Sequence, residues 1–466
     1  MNSSWIIYAF IIIIYDKFVI SEYGSNETCY DFSVSPENVF LEGSKYRLFS
    51  TKTTYLTARE EIRKIFPSEW PNEIEQCTPV YMFFLNRHSI RYPSAKEINK
   101  FNILLNTFRE ELLNSGKLSY RMFIYLATWR FRMSEVDDNH VSYTGKLETA
   151  QTAKIFYKLF PTLLDIDKIN FDVGISTKIR TEETADAFIG SLINIQLDRG
   201  QNLESKNEIK QTKFKKFSKD VLMSHKKCKG LIIDSSGSKI PKSQKYLKLL
   251  ESKPIKMMLI NFSQRNGLEY TIKIESLIML YKACSYETAI FAFSPWCHLF
   301  TQSELKIIEY LLDVDEYHDA YQIQPHRKMA CSIIGDLQSK LETIIRQETT
   351  TNTTLYFSHE NLLSKVFSYF GLFNKFPEIN LSPDDTRICI PDNREWRSSL
   401  VVPFGTNFVA ILYKCNHQAY KVLTLVNEIP VIVRGCNSSL CDIDKFFNEF
   451  HNERIECDLP KICKIS

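Results

Sequence analysis

PVYMFFL, residues 79–85, runs without a break into NRHSIRYPS, residues 86–94. An apolar run bounded by Pro79 and the polar Asn86 reads as a strand buried on both faces, since a half-exposed strand would alternate. Directly after it come Arg87, His88 and Arg91, with Pro93 behind them. A His between two guanidinium groups is costly to pack unless an anion joins them. A phosphate resolves the conflict. Arg forks grip phosphate oxygens in pairs, and the nearby positive charge keeps the imidazole neutral, hence nucleophilic. The position also fits, because open α/β sheets bind ligands beyond the carboxyl ends of their strands. On spacing alone, a strand end with solvated Arg and His fits as well.

Two further segments repeat the arrangement. In TLYFSHENLL, residues 354–363, a strand runs into His359 and Glu360 and a helix follows. An anion there would meet the free N–H groups of the helix start. Glu360 supplies a carboxyl that could protonate a leaving alcohol beside a phosphate dianion. First-turn and N-cap roles for such a pair are the commoner alternative. STKIRTEETADAF, residues 176–188, follows a β-like run at 169–175 and offers Arg180 as a third fork. Taken alone, Arg180 is an ordinary first-turn arginine.

Outward from these points the chain alternates. Helical spacing starts near Ser94 (Ile98, Phe101, Leu104, Leu105, Phe108), and again over 144–164 with Thr144 as N-cap. Another helical run covers about Thr181 to Ile195. Strand-like runs stand at 353–357, 399–402 and 407–413, with an alternating stretch over 420–434 and a helix over 360–371. The expectation is an α/β fold: a mainly parallel sheet with helices on both faces, plus a helical insertion or cap. The expected parts are a signal peptide over 1–22, α/β segments over 23–195 and 336–466, and the helical cap over 196–335.

The 466 residues are 44% hydrophobic, with a net charge of +3, which gives no reason to expect nucleic acid as a partner. Trp5 to Tyr15 is an apolar run of signal-peptide length, too short for a comfortable membrane span. No stable span is expected after cleavage; an uncleaved anchor is the alternative. Twelve cysteines without a Cys-x-x-Cys pair suit structural disulfides rather than a zinc site. Sequons at Asn26, Asn261, Asn352, Asn380 and Asn437 are candidate glycan sites, and the tail carries no ER-retention signal. Secretion or a lumenal location is the expectation. Residues 205–230 hold nine Lys against one Glu and one Asp. They read as a solvated surface loop or an attractor for an anionic substrate.

Strand–RHxxRxP, strand–SxxxRTxxTA and strand–HE, in that order, resemble the histidine acid phosphatases, branch 2 of the phosphohistidine superfamily. More narrowly, RHSIRYPS resembles the RHGTRYPT of the multiple inositol polyphosphate phosphatases. SPWCHLF (294–300), EYLLDVDEYHDAY (309–321), WRSSLVVPFGTNFVAILYKC (396–415) and a cysteine-bearing tail are similar to further elements of that family. The likeness runs from about Cys77 to the C-terminus. It implies a phosphoglycerate mutase-like fold and phosphomonoester hydrolysis without metal or other cofactor. The implied substrate is a small anionic phosphorylated molecule, an inositol polyphosphate or a bisphosphoglycerate. It assigns His88 as nucleophile, Arg87, Arg91, Arg180 and His359 as phosphate ligands, and a carboxylic acid as proton donor. The alternative is an inactive relative that binds polyphosphates or a protein partner with the same residues. Two positions depart from the family. Its Gly after the nucleophile is Ser89 here, which would be strained if φ were positive. Its His-Ala-Glu aligns with His359-Glu360-Asn361, whereas other acid phosphatases carry the acid directly after the His, where Glu360 stands.

Overall fold

The computed structural model describes residues 27–32, 48–65, 69–198, 214, 216–224, 243–323, 327–377, 379, 381–391, 394–455 and 457–462. The apolar run at 5–15, Cys228, Cys463, Asn26, Asn380 and most of the Lys-rich stretch lie outside them. Along the chain run β1 (Glu27–Asp31), α1 (Tyr55–Ile65), β2 (Cys77–Arg87), α2 (Ala95–Asn114), α3 (Tyr120–Thr128) and α4 (Tyr143–Leu159). They are followed by β3 (Asn170–Ile175), α5 (Ile179–Leu197) and β4 (Lys216–Ser218). Then come α6 (Gln244–Glu251), α7 (Lys253–Arg265), α8 (Ile274–Phe291) and α9 (Gln302–Tyr317), which continues as a π-helical turn, His318–Gln322. The last part holds α10 (Cys331–Ile345), β5 (Thr351–Ser358), α11 (Glu360–Tyr369), β6 (Arg387–Pro391) and α12 (Ser398–Val401). It ends with β7 (Asn407–Cys415), β8 (Tyr420–Val426), β9 (Ile429–Pro430), β10 (Leu440–Asp442) and α13 (Ile443–Ile455).

The central sheet has the order β10-β8-β7-β2-β5-β3-β4. β2, β5, β3 and β4 are parallel, while β7, β8 and β10 join in antiparallel register. The α/β expectation therefore holds, with a sheet that is mixed: its parallel half carries the three motif-bearing strands. Side chains of β2 alternate between two cores, as a strand must. Met82 and Phe84 pack with Phe156 of α4 and Phe188 of α5. Tyr81, Phe83 and Leu85 pack with α10, α11 and α13 on the opposite face. Both faces being covered is why PVYMFFL shows no polar alternation.

A third core is mainly helical, with Ile388 and Ile390 of β6 joining it. It unites Phe101, Leu105 and Phe108 of α2 and Leu126 of α3 with side chains of α6 to α9, such as Met258, Leu280 and Ile308. α2 starts at Ser94, whose side chain and that of Glu97 form a reciprocal cap. The cap of α4 is Ser142 rather than Thr144: Ser142 accepts from the Gly145 amide, whereas Thr144 donates to the Ile290 carbonyl of α8. The strand expected over 399–402 is instead the short helix α12. Its apolar run is fully buried and so carries no periodicity, and Pro403 ends it.

Five disulfides join described cysteines: Cys29–Cys389, Cys77–Cys415, Cys284–Cys297, Cys331–Cys457 and Cys436–Cys441. Cys77 and Cys415 face each other across β2 and β7, so the bond fastens the strand that leads to His88. Of the described sequons, Asn437 is exposed, while Asn261 lies in α7 with its amide donating to the Phe32 carbonyl at 3.0 Å. Among the described residues no helix is long and apolar enough to cross a membrane.

Candidate active site

The parallel strands β2, β5 and β3 end side by side, and each delivers one motif. Arg87 is paired with Ser358, and Ile175 with Phe357, so Arg87-His88, His359-Glu360 and Ser176 emerge at one level. The His88 peptide is clamped from both sides. Its N–H donates to the Ser358 carbonyl at 2.9 Å, and its carbonyl accepts from Gly405 N at 3.2 Å. Gly405 has φ +70, a turn conformation that side chains resist. Below the loop, Ser142 N donates to the Ile90 carbonyl at 2.9 Å. A Cβ on Gly145 would stand 2.3 Å from that same carbonyl. Gly145→Ala is therefore expected to push residues 88–91 out of place. Since ~1 Å of misplacement can cost ~10²-fold in rate, the measurement is kcat on any phosphomonoester. An unchanged kcat would contradict this packing.

His88 is buried, and its Nδ1 lies 3.0 Å from the Ser89 carbonyl. A carbonyl oxygen only accepts, so Nδ1 carries the proton and the Nε2 lone pair is left for attack. Burial first, then the guanidinium groups of Arg87, Arg180 and Arg91, hold the imidazole well below the ordinary histidine range. A neutral imidazole among cations is the nucleophilic form. His359 stands with its ring centroid 5.6 Å from that of His88. Its Nε2 shares a 2.8 Å hydrogen bond with Ser176 Oγ, which in turn meets Thr181 Oγ1 at 2.9 Å. The Ser-x-x-x-x-Thr of the third segment thus fixes the His of the second.

The structure brings the three arginines within electrostatic reach of His88 and of one another. Arg87 is buried, donates from Nη1 to the carbonyls of Thr51 (2.8 Å) and Val402 (2.6 Å), and lies 4.7 Å from the Phe404 ring centre. Arg91 sits over Tyr286 at 5.9 Å, and Arg180 reaches Asn139 Oδ1 at 3.4 Å. Among the described residues, none of the three has a carboxylate within ion-pair distance. The Nε atom of each is buried without a hydrogen-bond partner there. Burial, and then the neighbouring guanidiniums, push Arg87 and Arg180 down to about 10, low for arginine but still charged at any working pH.

Both departures from the family pattern now have a physical account. Ser89 does not have positive φ, so its Cβ costs no backbone strain. Its hydroxyl donates to the Gly145 carbonyl at 2.9 Å and its amide to Thr184 Oγ1, turned away from His88. Glu360 is the first residue of α11, within electrostatic reach of Arg87. Asn361 is exposed. Of the two positions, 360 and 361, it is the carboxyl of Glu360 that lies within electrostatic reach of Arg87 and Lys52.

The family is settled by a match over most of the chain. Residues 81–427 match the model of the histidine phosphatase superfamily, branch 2. The chain belongs to that superfamily. It is a phosphoric monoester hydrolase of that class. It is 24% identical to the multiple inositol polyphosphate phosphatase 1 of Drosophila melanogaster, over 85% of this chain and 83% of that protein. To the Homo sapiens protein of the same name it is 22% identical, over 90% and 89%. In fold it is similar to the phytase from D. castellii (TM-score 0.64, 17% identity, 86% and 84% covered). The Bifidobacterium longum multiple inositol polyphosphate phosphatase in complex with inositol hexasulfate gives TM-score 0.57 at 14% identity, covering 85% and 96%.

Several residues of this histidine phosphatase site escaped the sequence reading. Lys52 lies in a 3₁₀ turn before α1, donates to Thr51 Oγ1 at 2.7 Å and stands 5.6 Å from the Tyr286 ring centre. Burial, then Arg87 and Arg91, push its ammonium down to about 8, offset by Glu360 and Glu316. Tyr286 and Phe404 are aromatic plates under these cations, and cation–π contact stabilises charge where water is scarce. Residues 394–404 are tied to α9: Ser398 N donates to Asp313 at 2.9 Å, and Arg394 and Arg397 meet Asp313 and Glu309 at 3.2 and 3.3 Å. That network holds the turn whose Val402 carbonyl receives Arg87. A lone Lys in STKTTY gives no signal, but Glu309, Asp313 and Glu316 at i, i+4 and i+7 do mark an acidic stripe on a helix face.

Proposed function

We propose that this phosphatase removes phosphate from inositol polyphosphates, in the secretory pathway or outside the cell, through a phosphohistidine on His88. Charge carries the reading. Three guanidiniums without a carboxylate partner among the described residues surround a neutral imidazole, an arrangement that is costly until a phosphate enters. Lys52 adds a fourth cation, which suits a substrate with more than one phosphate. The names of the relatives agree with that choice, and the disulfides agree with an oxidising compartment.

In the first step His88 Nε2 attacks phosphorus and a P–N bond forms. The ester P–O bond breaks, and its electron pair stays on the leaving oxygen, which takes the proton of Glu360. Arg87, Arg91, Arg180 and His359 offset the charge that grows on the equatorial oxygens. In the second step Glu360, now a carboxylate, draws a proton from water as that oxygen attacks phosphorus. The P–N bond breaks, inorganic phosphate leaves, and the His88 lone pair returns.

The test is phosphate release from inositol hexakisphosphate, with kcat/KM followed across pH. That ratio reports the free enzyme's groups. The nucleophile is active when neutral, and its protonation is displaced below the ordinary histidine value of about 6.5. The expected result is release that persists undiminished from about pH 6.5 to about pH 5. Absence of release, or an acid limb centred at about pH 6.5, would overturn the reading.

A further inference from the structure

α3 is apolar on both of its sides. Met122 and Leu126 are buried in the helical core. Tyr120, Phe123, Ile124 and Ala127 stand at i, i+3, i+4 and i+7, the spacing that puts side chains on one helix face. That face is the outer one: Tyr120 is 82% exposed, Phe123 45% and Ile124 39%. A surface helix ordinarily turns polar residues outward, and apolar side chains exposed singly need no account. A run of them at helical spacing does. Phe293, 44% exposed just past α8, widens the patch, its ring centre 5.3 Å from that of Tyr125.

The charges around this face have one sign. From Ser115 to Ser134 the chain holds Lys117, Arg121, Arg130 and Arg132, all exposed, and no Asp or Glu. Arg130 Nη1 donates to the Ala127 carbonyl at 3.1 Å. Arg109 of α2 donates to the same carbonyl at 2.9 Å and to that of Leu126 at 2.7 Å. Two guanidiniums thus sit at the last turn of α3, where the helix dipole favours cations. The acidic residues that flank the segment in sequence are engaged elsewhere. Glu111 accepts from the Tyr270 hydroxyl at 2.8 Å, and Glu135 from Asn99 Nδ2 at 2.7 Å. Glu287, buried, accepts from Trp129 Nε1 and Ser294 Oγ.

We propose that the outer face of α3, together with Phe293, docks on the anionic surface of a lipid bilayer. Tyr120, Phe123 and Ile124 enter the headgroup region, and the surrounding cations meet the lipid phosphates and carboxylates. A second copy of this chain fits worse. A two-fold contact would bring the same face of both copies together and set Arg121 and Arg130 near their counterparts, with no carboxylate from the segment between them. A bilayer carries the opposite sign over the whole area, and it deforms around a projecting helix. The inference is independent of the phosphatase reading, which uses none of these residues.

The experiment is co-sedimentation of the whole chain with vesicles of phosphatidylcholine alone or with about 30% phosphatidylserine added, at low and at high salt. Partition onto the anionic vesicles only, weakened by salt, is the expected result. Lys117→Gln with Arg121→Gln, and separately Tyr120→Ser with Phe123→Ser, should each reduce that partition about tenfold or more. Both pairs should keep the wild-type melting temperature and whatever rate of phosphate release wild type shows. No partition onto anionic vesicles would overturn the proposal. So would equal partition onto neutral vesicles, unchanged in the variants, which is what insertion of the apolar run at 5–15 would give. Concentration-dependent dimers of wild type that Tyr120→Ser with Phe123→Ser dissolves would also overturn it, in favour of a second copy.

Discussion

Replacing His88 with Ala is expected to lower phosphate release from inositol hexakisphosphate by at least ~10⁴-fold, since losing a nucleophile removes the covalent route entirely. The substitution should cost little in folding. His88 is held by its backbone, through Ser358 and Gly405, and its side chain makes one hydrogen bond, to the next carbonyl. Removing an imidazole from among three guanidiniums does not remove the phosphate ligands. Inositol hexakisphosphate should therefore still raise the melting temperature of His88→Ala. That combination separates loss of chemistry from loss of binding. Residual activity within ~10-fold of wild type would mean that another group attacks phosphorus.

Arg87→Lys is expected to be nearly as damaging, with kcat/KM down by ~10²–10³-fold, although charge is conserved. Arg87 does two things at once. Its Nη1 holds the Thr51 and Val402 carbonyls over Phe404, and its charge acts on His88. An ammonium on a four-carbon stem satisfies either the carbonyls or a phosphate oxygen, and it lacks the planar fork. Leaving two buried carbonyls without a donor costs of the order of 1–3 kcal/mol each, so the melting temperature should fall too. The assay is steady-state kinetics beside thermal unfolding. Wild-type kinetics in Arg87→Lys would show that the fork is not used.

The strands that carry the site were legible because both their faces are covered. PVYMFFL and TLYFS read as interior strands and INFDVGI as a partly buried one, and each is followed at once by a motif segment, at matching levels of the sheet. Sequence could not say that Arg87, His359 and Ser176 lie level, since register between strands distant in the chain leaves no local pattern. α12 was read as a strand because complete burial erases periodicity. α2 and α3 share a core with α6 to α9 across more than a hundred residues of chain, a contact that no local spacing announces. Ser89 raised a concern about strain that only φ and the direction of its hydroxyl could remove. Tyr286 comes to Arg91 from a helix far along the chain, with Lys52 of a short turn over its ring, so neither sits next to a motif in the sequence.

The central claim is a covalent intermediate on His88, and rapid quenching tests it most directly. Inositol hexakisphosphate labelled with radioactive phosphorus is mixed with enzyme, and the reaction is stopped in alkali, where phosphohistidine survives and phosphoester-free phosphate is washed away. Protein-bound label that turns over during the reaction, is lost on acid treatment, and is absent from His88→Ala is the predicted result. Phosphate released at full rate with no label on the protein, or label that persists in His88→Ala, would contradict the account.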